Sequence, residues 1–535
     1  MTLNPKIKVS MPEKGAIVRN INGHSPVYYR PVTLESGERN VKKQRICIGK
    51  YDEASDMLIP NVAYWKYFGG STLDFNPLVP VYNSVSHIGA TFVIDSLMRR
   101  LGLNEVLSKC FDEKRAKQIS AAVLYMVSRG NVFGGVEDFC GSFTLSEPPL
   151  TSKGTSQLFA SITHDDRMAF FKHWIAKHHP SSFLAYDVTS FSTYAKGIVD
   201  SELGHNRDGE KLPQINLGCY VSQLTAQPIF YVTYSGTIVD KSHLPYMMAY
   251  NEELGITDVG FVLDRGFCTT NNVKHLVKEG YDFIIGVMKR HKATRRAIEI
   301  VRPHIVTVDN RVESSVFAVA MTGCFYGVAA TLHIFHDRSL ADEQLDALLR
   351  RVDDTEAKRQ QLKRLTLREV KSFGHYFSIQ LAPDGSFNYV RDMDKIELAS
   401  RYCGFFCLLT NTSLSSLEVL TKYRAKNVIE KSFDEVKNYI SMKKMRTHFT
   451  YTTEGKIFCA FIALIIVSEL GVKVRKFMKK KCMSKARLIT EMEKICIGAK
   501  DGHRKLITPL TKTLRTIMGE FGLSEQDLMA YISGS

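Results

Sequence analysis

Phe183-Leu184-Ala185-Tyr186-Asp187-Val188 is an apolar run of strand length broken by one carboxylate. A carboxylate in such a run is costly when buried unless a cation or hydrogen-bond donors meet it. The run opens an alternating block. Ile215 to Val221 and Ile229 to Tyr234 flank a short turn containing Thr225, Ala226 and Gln227, which predicts a hairpin. Ser242 to Leu254 has the spacing of an amphipathic helix, Val259 to Leu263 of a buried strand, Asn271 to Glu279 of a helix, and Phe283 to Met288 of a second buried strand.

The resulting order, β-β-β-α-β-α-β, predicts an α/β fold with a ribonuclease H-like core over 181–290 and 401–470: a mixed five-stranded sheet with flanking helices. Asp264 repeats the pattern of Asp187, following Phe261-Val262-Leu263 and preceding Arg265-Gly266-Phe267. Two carboxylates at the ends of neighbouring strands can share hard cations. A third belongs on a helix beside them, and the sequence offers Glu430. A single helix from about Leu414 to Ile440 would put Tyr423, Lys426, Glu430 and Lys437 on one face, with Val428, Ile429, Phe433 and Val436 packed on the sheet. Taken singly, each residue also has a plain reading: Asp187 caps a turn, Asp264 pairs with Arg265, and the helix face is merely solvated.

Outward from this core, residues 1–75 alternate apolar with polar or basic residues at Ile17–Asn20, Pro26–Arg30 and Gln44–Tyr51, separated by Asn22-Gly23-His24 and Ser36-Gly37. They predict a small β module with a basic edge of Lys42, Lys43, Arg45 and Lys50, either a DNA-binding arm or a solvated face. Residues 76–180 carry helical periodicity, as in Phe92, Ile94, Leu97, Met98 and Leu101, and are read as a helical DNA-binding region. Residues 291–400 are read as a β-rich insertion. It has strands at Val316–Ala320 and Gly327–Phe335, a long charged helix at Leu340–Leu365, and a hairpin turning at Pro383–Ser386. A strand at Gly404–Leu409 follows. Residues 471–535 form a basic helical region containing Lys473, Arg475, Lys476, Lys479, Lys480, Lys481, Lys485 and Arg487.

The net charge of +16 over 535 residues draws the chain toward polyanions. Eleven cysteines without a CxxC pair point to reduced thiols; Cys403 and Cys407 lack the partners of a zinc site. The first ten residues have no apolar run of a signal peptide, and Ile457–Val467 is about half a membrane span, so it is read as a buried helix in a cytoplasmic protein with no membrane partner. No G-x-S-x-G elbow or convincing Cys/His nucleophile suggests a metal-free hydrolase.

The chain resembles the DDE transposases of bacterial insertion sequences, in the branch marked by Tyr-x2-Arg-x3-Glu-x6-Lys. Tyr423, Glu430 and Lys437 fall on that signature, and Lys426 stands at the Arg position. Further matching stretches are Tyr186–Ser190, Leu212–Gly218, Asp264–Phe267, and Arg446-Thr447-His448 leading into Ile457–Leu464, so the likeness covers roughly 180–290 and 400–470. The resemblance implies catalytic, metal-holding roles for Asp187, Asp264 and Glu430, with two Mg²⁺ ions for which Mn²⁺ substitutes. It gives DNA-binding roles to Tyr423, Lys426 and Lys437, beside Arg265 and Arg424. Because Lys lacks the bidentate fork of Arg, Arg424 is the neighbour able to compensate. The implied partners are double-stranded DNA with terminal inverted repeats, target DNA, and a second copy when two ends are synapsed. The implied setting is the bacterial nucleoid. Two other functions stay open: an inactive or domesticated DNA-binding protein of the same fold, and a structure-selective nuclease.

Overall fold

The computed structural model describes residues 7–20, 25–30, 45–68, 84–143, 150–179, 182–204, 206, 208–360, 366–382, 386–500 and 503–533. The turns at Asn22-Gly23-His24 and Ser36-Gly37, with Lys42, Lys43 and Pro383-Asp384-Gly385, lie outside the described residues. The chain divides into two compact units, Met1–Asn83 and Ser84–Ser535. In the smaller unit Ala16–Val18, Pro26–Tyr29, Ile46–Asp52 and Met57–Pro60 form a four-stranded antiparallel sheet around Val27, Ile48 and Leu58.

The larger unit is a mixed α/β structure built on one eight-stranded sheet. Its strands are β1 (Phe183–Ser192), β2 (Gln214–Ser222), β3 (Pro228–Ser235), β4 (Gly260–Leu263), β5 (Asp282–Val287), β6 (Val316–Phe325), β7 (Val328–Asp337) and β8 (Phe405–Thr410). Across the sheet the order is β6-β7-β8-β5-β4-β1-β2-β3. β4 runs parallel to β1 and β5; every other pairing is antiparallel. β2 is buried along its whole length and β1 beyond its first residue, as expected of strands covered on both faces.

Here the five-strand expectation is corrected. β6 and β7, read from sequence as an insertion, join the central sheet through β8, so only 338–400 stands apart as helix and hairpin. The physical reason is the edge: β5 would otherwise present an open row of amide and carbonyl groups, and β8, β7 and β6 satisfy it in turn. The remaining insertion has the charged helix Arg338–Gln360 and the hairpin Phe377–Leu381/Phe387–Arg391, with a small core of Val352, Phe377 and Ile396.

Two other corrections concern helices. The stretch 242–254 is not continuous: α1 (Asp240–Met248) runs through Pro245, and Tyr250–Leu254 follows as a separate turn. The C-terminal region is not wholly helical. Cys496–Lys500 pairs on one side with His503–Leu506 and on the other with Ser84–His87 in a three-stranded sheet, beside the helices Arg475–Lys481, Lys485–Met492, Lys512–Glu520 and Glu525–Ser533.

The helices between 89 and 178 share a single hydrophobic core with the sheet. Trp174 donates from its indole nitrogen to the Pro228 carbonyl at 3.0 Å, tying the helix His164–His178 to β3. Thr450–Lys473 is long and apolar enough to cross a membrane by length and composition, yet 83% of its most apolar window is buried inside the protein. Gly455 lets it touch its neighbour, since a Cβ there would meet the Phe159 carbonyl oxygen at 2.0 Å.

Candidate active site

β1 and β4 run side by side in parallel, and their last paired residues are Tyr186 and Leu263. Asp187 and Asp264 are the next residue on each strand, so the register brings the two carboxylates to the same level. Both line one pocket of about 310 Å³, with Asn216 from β2 and Asp240 and Lys241 from the start of α1. Asp187 is 8% exposed, and its Oδ1 accepts from the Val188 amide at 2.8 Å. Asp264 is half-buried and sits at the bend where Arg265–Phe267 begins.

The helix expected to run unbroken to Ile440 is interrupted. α2 (Ser416–Ala425) ends at Lys426, α3 (Asn427–Asp434) begins there, and a π-helical turn occupies Glu435–Tyr439. At the break the Lys426 amide donates to Tyr423 O at 3.1 Å and the Ile429 amide to Lys426 O at 3.0 Å, three-residue bonds that tighten the turn. α2 packs on β4, β5, β6 and β8, and α3 on β1 and β2. Ile429, Phe433 and Val436 are buried toward the sheet, as their spacing predicts.

The break separates the fates of the signature residues. Tyr423 turns inward, and its hydroxyl donates to Asp264 Oδ1 at 3.2 Å. Gly286 on β5 leaves the room for this: a Cβ there would lie 2.6 Å from the Tyr423 hydroxyl and 3.1 Å from the Arg265 amide nitrogen. Burial, then the Asp264 charge, pushes the Tyr423 hydroxyl above its ordinary pKa, so it stays protonated and donating. Lys426 is 6% exposed and donates from Nζ to Glu430 Oε1 at 2.9 Å. Glu430 itself is exposed, with 56% of its side chain open. Lys437, 8% exposed, is bound to Asp208 at 2.7 Å. Arg424 is paired with Glu313 at 2.5 Å rather than with a site carboxylate, and Arg265 is exposed beside Asp264. The structure therefore unites Asp187, Asp264 and Tyr423 directly, and holds Glu430 with Lys426 outside the pocket lining.

Sequence reasoning missed Asp240. It accepts from the Tyr234 hydroxyl at 2.8 Å and adds a third acidic side chain to the pocket lining. The available signal was its place just after Gly236-Thr237-Ile238-Val239, at the first turn of a helix following a strand.

The donor set suits a hard divalent cation in part. Two carboxylates at one level offer oxygen ligands and leave positions for water. Among the described residues, no group of three His, Cys, Asp or Glu side chains is gathered closely enough to hold a metal. Glu430, the third carboxylate expected there, is instead paired with the Lys426 ammonium.

The fold and pocket thus define an α/β core bearing paired acidic residues on adjacent parallel strands: Asp187 in the middle of β1, where a strand end was expected, and Asp264 just past the end of β4. Residues 178–466, more than half of the chain, match the family model described as the transposase DDE domain, and the chain belongs to that family. It is a DDE transposase, an enzyme of a family that generally uses divalent metal ions. No curated protein matches the chain. Among solved structures, a cryo-EM structure of a piggyBac transposase synaptic complex with hairpin DNA is similar over 82% of this chain and 82% of that one. The identity is 10% and the TM-score 0.36, too low to bear on the fold.

Proposed function

We propose that this chain is an insertion-sequence transposase that cuts double-stranded DNA at terminal inverted repeats and joins the freed ends to target DNA, as a dimer on synapsed ends in the bacterial nucleoid. The observation that carries the reading is the level pairing of Asp187 and Asp264 at one pocket inside the DDE-matching region. The strand order β3-β2-β1-β4-β5 supports a ribonuclease H-like core, with β6, β7 and β8 as its extension.

Asp187 and Asp264 are the residues that would hold Mg²⁺, or Mn²⁺ in its place, with Glu430 completing the set. Two such ions, when bound, activate the attacking oxygen and stabilise the leaving oxygen of an in-line phosphodiester displacement. Tyr423 keeps the Asp264 carboxylate oriented by donating to it. Lys426, Lys437 and Arg265 offer cationic contacts for the phosphates flanking the cut, and Lys426 and Lys437 must first exchange a carboxylate for a phosphate. The exposed basic helix Arg475–Lys481 supplies contacts that depend on salt but not on sequence.

One observation favours the second reading, an inactive DNA-binding relative: Glu430 is held by Lys426, outside the lining of the pocket that the two aspartates share. The deciding experiment is cleavage of DNA carrying the gene and both its flanks, with Mg²⁺ or Mn²⁺, by wild type and Asp187→Asn. Metal-dependent cuts at two inverted ends, lost in the variant, support the transposase. Binding without cuts in either metal sinks it in favour of the inactive relative.

A further inference from the structure

A cavity of about 750 Å³ lies beyond the far end of β1. One wall is Thr193-Tyr194-Ala195, which continues β1 itself, and another is the run Lys444–Phe449 that follows the signature helix. The two walls are joined by backbone hydrogen bonds from Ser192 N to Lys443 O and from Met445 N to Ser192 O, each 3.0 Å. Asn131, 1% exposed, fixes the second wall by donating to Ser441 O at 2.8 Å and Lys444 O at 3.1 Å. Six residues at strand spacing put the cavity about 20 Å from Asp187.

The lining has two kinds of surface. Phe133, Phe159 and Phe449 make it apolar, Lys444 and Arg446 make it cationic, and among the described residues no carboxylate lines it. Lys456 is 2% exposed, and its Nζ donates to Met445 O at 2.9 Å. Arg446 stands in the left-handed region at φ 53°, a conformation that non-glycine residues avoid and that collects at binding sites. At the mouth, large aromatic side chains face solvent: Tyr194 is 75% exposed, Phe449 51% and Tyr451 53%. Phe449 and Tyr451 lie parallel, with centroids 5.5 Å apart and 3° between planes. Flat exposed rings beside cations suit a planar, anionic ligand, and this combination is how unpaired nucleic-acid strands are held. The volume falls in the range of pockets that bury a ligand of about nucleotide size.

We propose that this cavity binds an unpaired nucleotide of the DNA strand, its base stacked on the Tyr194 and Phe449 rings and its phosphate met by Lys444 and Arg446. The assignment rests on the reading of the chain as a DNA transposase. It adds a place, about 20 Å from the carboxylates, where a strand end or a displaced base is kept out of the duplex. Glu210, which pairs with Lys444 at 2.6 Å, is the carboxylate the phosphate displaces.

The test is anisotropy of the full chain with two labelled probes, measured without divalent metal so that no cutting intervenes. One probe is a plain duplex, and the other the same duplex with unpaired thymines at its centre. Wild type is expected to bind the unpaired probe about tenfold tighter. Tyr194→Ala and Phe449→Ala are expected to lose that preference while binding the plain duplex as wild type does, and Phe449→Trp to retain it. The proposal is overturned if both alanine variants keep the preference. It is equally overturned if a free mononucleotide fills the cavity while wild type shows no preference for the unpaired probe. If flanked DNA is cut at its ends but the probes bind alike, only the pocket assignment falls. If neither probe binds, the transposase reading falls with it.

Discussion

The contact among Gly286, Tyr423 and Asp264 makes a prediction with both a sign and a size. Tyr423→Phe removes the hydroxyl that reaches Asp264 at 3.2 Å. Hydrogen bonds to charged groups contribute about 1.5–3 kcal/mol. This one is longer than the roughly 2.7–2.8 Å mode for O–H···O bonds, and Asp264 is only half-buried, so the low end applies. A loss of about 1.5 kcal/mol from the positioned carboxylate corresponds to roughly tenfold slower cleavage. Gly286→Ala attacks the same contact from the strand side, because its Cβ would stand 2.6 Å from the Tyr423 hydroxyl. Relieving that overlap moves the hydroxyl by most of an ångström and breaks the bond. It also adds an overpacking cost of about 1–3 kcal/mol to folding. Cleavage by Gly286→Ala should therefore fall about as far as in Tyr423→Phe, and its thermal midpoint should fall further. The double variant decides the cause. With the hydroxyl gone the tightest overlap is relieved and the 3.1 Å approach to the Arg265 amide remains, so adding Gly286→Ala to Tyr423→Phe should cost less stability than it does in wild type and no further activity. Cleavage rates of flanked DNA in Mn²⁺ and denaturant midpoints of the four proteins complete the cycle. Strictly additive losses would refute the claim that Gly286 acts through Tyr423.

Removing the Asp208 carboxylate with Asp208→Asn frees Lys437, so DNA should bind several-fold tighter, with the gain shrinking as salt is raised; unchanged affinity in an electrophoretic titration would mean that Lys437 does not meet phosphate. Lys456 is lowered by burial to about 7 from its ordinary 10.5. The unfolded chain thus binds the extra proton between those values, and this group makes stability rise as pH goes from about 7 to 10.5. Lys456→Met should abolish that increment and stabilise the protein at neutral pH by up to a few kcal/mol, read as the difference between the two unfolding curves across that window. Changing Lys479, Lys480 and Lys481 together to Ala should lower the slope of log affinity against log salt by about 2 to 3, checked by anisotropy over a salt series.

The strands that carry the carboxylates were legible because their chemistry is local. Apolar runs of strand length ending in Asp187 and Asp264, with Thr225 to Gln227 as a turn, need no distant partner to be recognised, and the observed bounds of β1 to β5 overlap the expected ones. What the sequence hid depends on pairing between distant segments. Nothing local in Val316–Phe325 says that it continues a sheet through Phe405–Thr410, because the register is decided by an edge that forms elsewhere. The strand pair at 496–506 was hidden for the same reason, its partner lying at Ser84–His87. The break at Ala249 within the periodic stretch 242–254 is not marked by Pro245, because the helix continues through that proline to Met248.

At the candidate site, the spacing of Tyr423, Lys426, Glu430 and Lys437 predicted a helix, and the region is helical, but the reading assumed one helix phase. The tight turn at Lys426 and the π-helical turn at Glu435–Tyr439 each reset that phase, and π turns of this kind are frequent at functional sites. Their result is that each cation of the signature already has a carboxylate: Lys426 has Glu430, and Lys437 has Asp208. Neither arrangement is accidental in electrostatic terms. Lys426 and Lys437 are both more than nine-tenths buried, and an unpaired ammonium there would carry a desolvation cost with nothing to offset it. A phosphate can replace either carboxylate at no net loss of pairing, while a divalent cation beside Asp187 and Asp264 turns the repulsion felt by Glu430 into attraction. DNA and metal therefore favour the same rearrangement: phosphate takes over Lys426 as metal draws Glu430 away from it. The two ligands should bind cooperatively for that reason, without requiring any movement of the sheet.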